Sequence, residues 1–516
     1  MSQWSEGYVT DITYTYGYYG ELNPLRARWA LARAGFRGPE VHQACELGFG
    51  QGMSINLHAA ASDVHWCGTD FNPSQVAFAQ GLARASGAHA LLSDEAFESF
   101  CARTDLPDFD YIGLHGIWSW ISDRNRRVIA DFLRRKLRVG GVVYLSYNTL
   151  PGWASFAPMR ELLLAHHERM SAPGTAVGTR IDAALAFGQK LMQTQPKVAA
   201  ALPSMAGRLN KVQTQSRAYL AHEYFNADWA PMYFSDMAKH LADCKLSFAC
   251  SAHLPDHADG LNLSDDQVAM LRGIDDVNLR ELTRDLLVNQ QFRRDLWVKG
   301  PVKMRPAERM AVLRQQQVLL VVPRGDVKLK VSGSRGEADM SAPIYAALLD
   351  VLAQAPLRPH AVGELEKQLP QAAPFSAAHL IEAVTLLVAT GQVQLVAAPA
   401  PAPSVVQSSQ RLNEAIAQMA RDGGDVRYLS SPVLGGGVEV NRFEQLFLAQ
   451  CWGGELRPQA WAEAVWQTLS AAGERLVGPD GKPLTTPQDN LKVLLEKAQV
   501  FATQRLPVLR AAGLLA

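Results

Sequence analysis

The 516-residue chain lacks several features that mark common classes of protein. No two of its six cysteines form a C-x-x-C pair, the arrangement typical of zinc and redox sites, so free thiols are expected. No run approaches the roughly 18 consecutive apolar residues of a transmembrane helix, so no membrane insertion is expected. Residues 1–6 lack the basic-then-apolar pattern of a signal peptide, and a cytoplasmic location is expected.

The charge of the chain is balanced rather than biased to one sign. Lys and Arg together number 50, Asp and Glu together also number 50, and the formal net charge is zero. A chain that binds nucleic acid or an anionic membrane through its overall charge would carry a basic excess. No nucleic-acid partner is therefore expected.

The sequence does contain a long stretch in which short apolar runs alternate with helical patterns. Strands are predicted at 41–47, 64–69, 88–92, 109–115 and 142–148, with helices at 54–61, 72–86, 94–103 and 123–137. Asn72 followed by Pro73 is typical of a helix N-cap with proline at the first helical position. This alternation predicts a Rossmann-like α/β domain over residues 1–165, with a parallel sheet covered on both faces.

The remaining residues are predicted to form several further units, because a chain of this length exceeds a single core. A helical insert at 166–215 is a candidate dimerisation element, and a mixed segment follows at 216–300. A winged-helix-like unit is predicted at 301–396, with helices at 342–353, 362–369 and 376–390 and a strand at 392–396. Alternating Ala and Pro at 397–406 indicate an extended linker, and a helical domain occupies 407–516.

A glycine-rich loop, Glu46-Leu47-Gly48-Phe49-Gly50-Gln51-Gly52, joins the first predicted strand to the first predicted helix. Glycines here let the backbone turn sharply and approach a ligand closely. The spacing differs from the G-x-G-x-x-G of dinucleotide-binding folds and from a phosphate loop ending in Lys-Ser/Thr. S-adenosylmethionine has no phosphate, and its methionine end needs this close approach together with an acidic residue at the start of the motif, here Glu46.

Two further acidic residues follow the second and third predicted strands. Asp70 comes about 20 residues after the loop, where a carboxylate can accept hydrogen bonds from both ribose hydroxyls. Asp94 follows the third strand, a position suited to the adenine amino group. A glycine turn in an unrelated α/β protein and a dinucleotide-dependent oxidoreductase are the alternatives, but the combination of these residues favours S-adenosylmethionine.

The chain also resembles the methyltransferases that carry a methyltransferase regulatory domain, whose best-known branch is the rickettsial-type protein lysine methyltransferases acting on outer-membrane proteins. Segments similar to the family's motifs follow one another along nearly the whole chain: Tyr14-Thr15-Tyr16-Gly17-Tyr18-Tyr19, Leu22-Asn23-Pro24, His115-Gly116-Ile117-Trp118-Ser119-Trp120-Ile121, Tyr147-Asn148-Thr149-Leu150-Pro151-Gly152-Trp153, Tyr219-Leu220-Ala221-His222-Glu223-Tyr224-Phe225, Pro231-Met232-Tyr233-Phe234 and Tyr428-Leu429-Ser430-Ser431-Pro432-Val433-Leu434-Gly435. Phe49 departs from the small or polar residue of many methyltransferases. The resemblance implies a class I methyltransferase fold, S-adenosylmethionine as cofactor and a protein lysine as acceptor.

An acceptor site lined by aromatic residues is expected, because desolvation lowers the pKa of a lysine amine and aromatic rings suit the cationic donor. The candidates are Tyr14, Tyr16, Tyr18, Tyr19 and Trp118. An aromatic lid without a chemical role is the alternative for this group.

Two polar residues end predicted strands on the acceptor side. His115 is expected beside the cofactor, as a general base or as a packed histidine, and both interpretations stay open. Asn148 is interpreted as stabilising the turn at Pro151 in preference to positioning substrate.

Three other features of the sequence have both a functional and a structural interpretation. His222-Glu223 does not fit H-E-x-x-H, so no metal site is predicted. The helix predicted at 376–390 has no Lys or Arg, which argues against DNA recognition. A local basic cluster is interpreted as a solvated face, and a surface for an acidic substrate is the alternative. The cluster comprises Arg293, Arg294, Lys299, Lys303, Arg305 and Arg309.

The sequence therefore predicts an S-adenosylmethionine-dependent methyltransferase that modifies a nitrogen of a protein or peptide, with lysine Nζ favoured. A small-molecule or peptide natural-product methyltransferase of the same fold is the first alternative. A non-catalytic S-adenosylmethionine-binding regulatory protein is the second, and a homodimer is a further option.

Overall fold

The computed structural model describes residue 8 and residues 15–172, 174–340, 343–369 and 376–515. A seven-stranded sheet lies at its centre. The strands are β1 (Gln43–Leu47), β2 (His65–Thr69), β3 (Ala90–Ser93), β4 (Phe109–Leu114), β5 (Leu137–Asn148), β6 (Leu246–Ser251) and β7 (Phe292–Lys299). Their order is β3-β2-β1-β4-β5-β7-β6. The first five are parallel, and β7 is antiparallel to both β5 and β6.

Helices cover both faces of this sheet, so the central strands β1, β2 and β4 are buried almost throughout. The helices of the first part of the chain are α1 (Pro24–Ala34), α2 (Met53–Ala60), α3 (Pro73–Ser86), α4 (Phe97–Ala102) and α5 (Asp123–Lys136). Helices α1, α2 and α3 share a core with Trp66, Tyr111 and Tyr144 on one face. Helices α4 and α5 pack with Ile112 and Leu145 on the other face.

The start of α3 confirms the predicted N-cap. The Asn72 side chain accepts a hydrogen bond from the backbone N–H of Ser74 at 3.0 Å, and Pro73 is the first helical residue. Proline is favourable there because its missing N–H would have had no partner within the helix. The cap fixes the direction in which the chain leaves Asp70 at the end of β2.

The segment between β5 and β6 forms a separate helical layer. Its helices are α6 (Leu150–Trp153), α7 (Ala157–Arg169), α8 (Val177–Gln193), α9 (Lys197–Ala201), α10 (Ser204–Gln213), α11 (Arg217–Tyr224) and α12 (Phe234–Ala242). Most of this layer shares a core that includes Phe156, Ile181 and Leu209, whereas α12 packs on the sheet. Between β6 and β7 lie α13 (Asp259–Asn262), α14 (Asp265–Arg272) and α15 (Val277–Val288).

The sheet does not end where the sequence pattern predicted. The predicted domain boundary at residue 165 separates β1–β5 from β6 and β7. These two strands belong to the predicted segment 216–300. The physical reason is that β7 pairs along β5 over seven residue positions, from Val142 with Val298 to Asn148 with Phe292. A mostly helical insertion therefore interrupts one continuous sheet.

The last two parts of the chain contain the remaining elements. The first holds α16 (Pro306–Gln315), β8 (Gln317–Leu320), β9 (Lys330–Gly333), β10 (Gly336–Asp339), α17 (Pro343–Leu352), β11 (His360–Ala361), α18 (Val362–Gln368), α19 (Ala377–Ala389) and β12 (Val393–Leu395). The second holds α20 (Pro403–Met419), β13 (Tyr428–Ser431), β14 (Gly436–Glu439), α21 (Arg442–Trp452), α22 (Pro458–Ala471), α23 (Pro487–Val500) and α24 (Leu506–Ala511).

Helices α17, α18 and α19 are followed by β12, which pairs with β8 in the three-stranded sheet β11-β8-β12; the winged-helix-like character of this unit stays a prediction. Helix α20 begins at Pro403, so the extended linker is shorter than the predicted 397–406. The C-terminal unit packs directly on the first domain, where Ser409 Oγ donates to the carbonyl oxygen of Ala60 at 2.9 Å. Within the described ranges, no helix has both the length and the apolarity needed to cross a bilayer.

Candidate active site

The glycine loop leaves β1 in a conformation that side chains disfavour. Gly48, Gly50 and Gly52 have φ angles of +71°, +59° and +68°, in the left-handed region. A Cβ at Gly48 would lie 2.4 Å from Ile117 Cδ1, and one at Gly52 would lie 2.5 Å from Ala79 Cβ. Among described residues, a Cβ at Gly50 would approach only Gln75, at 3.8 Å. Gly48 and Gly52 are thus packing positions, whereas Gly50 faces open space.

Asp70 connects this loop to the start of α3. Its Oδ2 accepts from the backbone N–H of Gly50 at 2.9 Å, and its Oδ1 accepts from that of Asn72 at 3.0 Å. Burial raises the pKa of the carboxyl to about 6, although both N–H groups favour the charged form. Each carboxylate oxygen has a further lone pair, so Asp70 can still accept hydrogen bonds from ligand hydroxyls.

Glu46 is a buried carboxyl at the base of the loop. It is 3% exposed, and its Oε2 has no hydrogen-bond partner among the described residues. Burial raises its pKa to about 8, and the neighbouring charge of Asp70 adds to this shift. A buried acid without a partner is unfavourable. A ligand with an ammonium group would satisfy it.

Asp94 lies one strand further along the same edge of the sheet. It directly follows β3 and is exposed. The backbone N–H of Asp70 donates to the carbonyl oxygen of Ser93 at 3.1 Å. Asp70 and Asp94 therefore lie side by side, just after the ends of the neighbouring strands β2 and β3. The structure therefore brings Glu46, the glycines, Asp70 and Asp94 to one edge, where a nucleoside ligand would lie.

His115 lies at the end of β4, on the other side of the loop. Its Nδ1 is 2.8 Å from the Tyr144 hydroxyl, and its ring stacks on Tyr19 with centroids 3.9 Å apart. Phe292, at the start of β7, lies edge-on at 6.2 Å. Burial lowers the pKa of His115 to about 4, so the imidazole is neutral at pH 7.

Two residues at this edge were missed or assigned another role from the sequence. Asn148 is 4% exposed, and its side-chain Nδ2 has no acceptor among the described residues. Its backbone N–H donates to Ser119 Oγ at 2.8 Å, and the side-chain amide could donate to a ligand. A polar residue at the end of a buried strand was the available signal.

Tyr8 is the other residue. Its ring lies between Phe71, next to Asp70, and His222 of α11, with centroid distances of 5.6 Å and 5.5 Å. The segment 216–300 thus reaches the edge of the candidate site. No pattern around Tyr8 in the sequence indicated this contact.

The predicted aromatic group is dispersed in the structure. Tyr16 packs on Phe78 of α3, with ring centroids 5.0 Å apart. Tyr18 is directed to the C-terminal unit, where it contacts Tyr428 at 5.1 Å and hydrogen-bonds His58 at 3.2 Å. Of this group Tyr19 lies against His115, and Tyr14 is outside the described residues.

Trp118 is a core residue in this structure. It is 0% exposed and packs among the side chains of β4, β5 and α5, with His240 edge-on at 5.9 Å. This burial gives no support to the expectation that Trp118 lines the acceptor site. An acceptor role for Tyr16, Tyr18 or Trp118 stays a prediction without a contact that supports it.

The basic cluster does not form one surface. Arg293 is buried and paired with Glu281, Asp285 and Asp295 at 2.6–3.0 Å. Lys299 Nζ donates to two backbone carbonyl oxygens at 2.8 Å. In the described part of the chain, no group of three or more His, Cys, Asp or Glu side chains is arranged to hold a metal ion.

The chain is similar to several known proteins. The family described as "Predicted methyltransferase regulatory domain" matches residues 216–299. The Synechocystis protein sll1526 is 37% identical over 516 residues, covering 99% of each chain. The protein RP789 of Rickettsia prowazekii is 29% identical over 313 residues, covering 57% of this chain and 53% of that protein.

Solved structures of a Rickettsia typhi protein cover nearly the whole chain. PKMT2 from Rickettsia typhi, in complex with AdoHcy, has a TM-score of 0.68 at 16% identity and covers 98% of this chain and 99% of that chain. The strand order, the antiparallel β7 and the glycine loop define a class I methyltransferase fold. The chain belongs to the family of S-adenosylmethionine-dependent methyltransferases that carry a methyltransferase regulatory domain.

Proposed function

We propose that the protein transfers a methyl group from S-adenosylmethionine to a nitrogen of a protein, with lysine Nζ as the acceptor. The observation that carries the cofactor assignment is the buried carboxyl of Glu46 at the base of the glycine loop, whose Oε2 has no hydrogen-bond partner among the described residues. The ammonium of the methionine moiety would supply the missing donor. AdoHcy, the product of methyl transfer, is the ligand named for PKMT2.

The other residues of this edge suit the rest of the cofactor. Asp70 would accept hydrogen bonds from the ribose hydroxyls, and exposed Asp94 from the adenine amino group. Gly50 leaves room for the ligand beside the backbone. When bound, S-adenosylmethionine supplies an electrophilic methyl group on a sulfonium.

The residues around His115 suit an amine acceptor. Tyr19, Tyr144 and Phe292 surround the neutral imidazole with aromatic surface. Such a site excludes water and lowers the pKa of a lysine amine, which favours its nucleophilic neutral form. His115, held by Tyr144, would orient the amine, and Asn148 Nδ2 would hydrogen-bond an acceptor carbonyl. A pKa near 4 makes His115 a weak base, which supports positioning in preference to proton abstraction.

A protein acceptor is supported by the extent of structure beyond the sheet. The units from α16 to α24 pack on the methyltransferase domain and offer far more surface than a small acceptor needs. The six buried and unpaired cysteines support a reducing, cytoplasmic environment. A homodimer remains part of the proposal to be tested.

The test is transfer of labelled methyl from S-adenosylmethionine into a cell extract, separated into protein and small-molecule fractions. Label on lysine residues of protein, located by mass spectrometry, is the expected result. Label confined to small molecules would indicate that the acceptor is a natural product or metabolite and not a protein. Tight cofactor binding without any transfer would indicate a non-catalytic regulatory protein. Glu46→Gln in parallel should abolish transfer if this site carries it.

A further inference from the structure

Helix α15 is attached to the central sheet mainly through polar side chains. Among its residues, all of which the structure describes, Asp285 alone is buried. The apolar side chains of Val277, Leu279 and Leu286 are 39%, 54% and 61% exposed. A surface helix is ordinarily held by an apolar face that packs on the core. The attachment of α15 therefore depends largely on the partners of Asp285.

Those partners meet at one guanidinium group. Arg293, on β7, is 6% exposed and lies 2.6 Å from Asp285 Oδ1 and 2.9 Å from Glu281 Oε2, both on α15. Its Nε also donates to Asp295 at 3.0 Å, and Asp295 Oδ2 accepts from the Tyr147 hydroxyl of β5 at 2.9 Å. A continuous network of hydrogen-bonded side chains thus connects α15 to β7 and β5.

The contact between α15 and the sheet is incompletely satisfied and loosely packed. One guanidinium faces three carboxyl groups, and Asp285 Oδ2 is buried without a hydrogen-bond partner among the described residues. A cavity of about 550 Å³ is lined by residues of α15, β6 and β7, among them Val288, Cys250 and Arg293. Elements with few buried contacts open locally at a low free-energy cost. Helix α15 is therefore suited to change its position on the sheet.

The far end of this network lies next to the proposed acceptor side. Tyr147 pairs with Arg293 across β5 and β7, and the next residue pair in the same register is Asn148 with Phe292. Successive side chains of a strand point to opposite faces of a sheet. The network therefore occupies one face, and Asn148 and Phe292 occupy the other, where Phe292 lies edge-on to His115.

The backbone provides a second connection between α15 and this side. Only residues 289–291 separate the end of α15 from Phe292, the first residue of β7. The carbonyl oxygen of Gln291 accepts from the backbone N–H of Thr149 at 3.0 Å, directly after β5. A displacement of α15 would therefore act on the ends of both strands.

We propose that Arg293 is a positioning residue, through which α15 of the segment matched by the regulatory-domain family sets the acceptor side of the site. With Arg293 bound to α15, Asn148 and Phe292 hold the geometry that receives the acceptor. Release of α15 displaces them and weakens acceptor binding. The cofactor residues follow β1, β2 and β3, which β4 and β5 separate from β7, so cofactor affinity is retained. The inference rests on the proposed methyl transfer, because it concerns the acceptor of that reaction.

The test uses the full-length protein and mild changes in the network. Tyr147→Phe removes the hydroxyl donor, and Asp285→Ala removes the buried contact of α15. The matched controls are Tyr111→Phe, a buried hydroxyl of the same sheet without a hydrogen-bond partner among the described residues, and Asp266→Ala, an exposed change on α14. Calorimetry gives the dissociation constant of S-adenosylmethionine, and labelled methyl transfer gives the half-saturating concentration of cell-extract protein. Hydrogen exchange is followed in α15 and at Phe292.

Tyr147→Phe and Asp285→Ala should each raise the half-saturating concentration of extract protein about 5-fold and leave the affinity for S-adenosylmethionine unchanged. The double variant should show less than the product of the two effects, because both act through Arg293. Asp285→Asn, which keeps an acceptor for Arg293, should restore most of the loss. Hydrogen exchange in α15 and at Phe292 should be faster in Asp285→Ala than in either control.

The inference is refuted if the network variants match their controls in acceptor saturation and in hydrogen exchange. Equal losses of cofactor and acceptor affinity would also refute it, because they would indicate damage to the whole site. If Asp285→Ala does not fold, Tyr147→Phe decides alone. Absence of methyl transfer to protein by the wild type would instead contradict the proposed function, and hydrogen exchange would then decide the link between α15 and Phe292.

Discussion

At the scale of single residues, the candidate site is defined by buried carboxyl groups. Their contacts in the folded protein do not fully offset the free-energy cost of burying them. Glu46 and Asp70 are both nearly inaccessible, and burial raises the pKa of each. Buried polar groups that lack hydrogen-bond partners destabilise the free protein. A ligand-binding site commonly contains such groups, because the ligand supplies the missing partners. Two predictions belong to this scale.

The first prediction concerns the dependence of stability on pH. In the unfolded chain Glu46 ionises at an ordinary pKa, about 4.3, whereas in the folded protein its pKa is about 8. Between these values the folded state retains a proton that the unfolded state has lost, so the free energy of unfolding falls as pH rises. The melting temperature of the free protein should fall more steeply in wild type than in Glu46→Gln between about pH 5 and about pH 8. Parallel curves would show that Glu46 is not buried in this way.

The second prediction concerns Asp70. Asp70→Ala should weaken binding of S-adenosylmethionine by about 1–3 kcal/mol, because it removes acceptors for the ribose hydroxyls. It should also lower stability, since the N–H groups of Gly50 and Asn72 lose their partner. Calorimetric binding at a temperature well below the melting transition separates the two effects. Asp265→Ala, an exposed change on α14, is the control; unchanged affinity in Asp70→Ala would remove Asp70 from the site.

At the scale of elements, the glycine loop combines two roles that the sequence motif does not distinguish. Gly52 fits the loop against α3, while Gly50 borders open space. The motif was recognisable in the sequence because its three glycines directly follow a predicted strand. Which glycine serves packing and which serves the ligand depends on α3, which arrives from further along the chain.

This distinction gives the third prediction. Gly50→Ala should cost about 1–2 kcal/mol of stability for its left-handed backbone and should abolish cofactor binding, because the new Cβ projects toward the ligand. Gly52→Ala should be clearly less stable than Gly50→Ala, since its Cβ would lie 2.5 Å from that of Ala79. Thermal unfolding and calorimetric binding of both variants provide the measurement. Equal stability of the two variants would contradict the packing role of Gly52.

The strands and helices of the first domain were largely predictable. Strands at 64–69 and 109–115 correspond to β2 (His65–Thr69) and β4 (Phe109–Leu114), because buried parallel strands are continuous apolar runs. Strands β6 and β7 were not predicted. Each is joined to the sheet across a long helical insertion, and nothing local in Leu246–Ser251 or Phe292–Lys299 indicates its partner.

At the scale of the whole molecule, the N-terminal tyrosines connect the units rather than form one pocket. The Tyr18 ring lies against the backbone of Gly436 and Gly437, where an added Cβ would be 2.7 Å and 3.1 Å from Tyr18 atoms. Its hydroxyl bonds His58 of α2. Tyr18 thus joins the first domain to the β13–β14 hairpin.

The fourth prediction follows from this contact. Tyr18→Ala should destabilise the protein by about 2 kcal/mol or more and should increase proteolytic cleavage in the linker at residues 397–402. Tyr18→Phe, which keeps the ring, should lose only about 1 kcal/mol. Limited proteolysis and thermal unfolding test both variants. Loss of methyl transfer by Tyr18→Ala with unchanged stability would instead support an acceptor role for Tyr18.

The sequence alone determined the features that arise from neighbouring residues: the glycine loop after β1, the carboxylates Asp70 and Asp94 after β2 and β3, and His115 after β4. These side chains meet because the carboxyl ends of adjacent parallel strands share one edge, a consequence of alternating strands and helices. The tertiary structure alone decided that Trp118 is core, that Asn148 and Tyr8 border the site, and that Arg293 on β7 pairs with Asp285 on α15. Contacts of this kind join residues distant in the chain, and they depend on packing that no local pattern encodes.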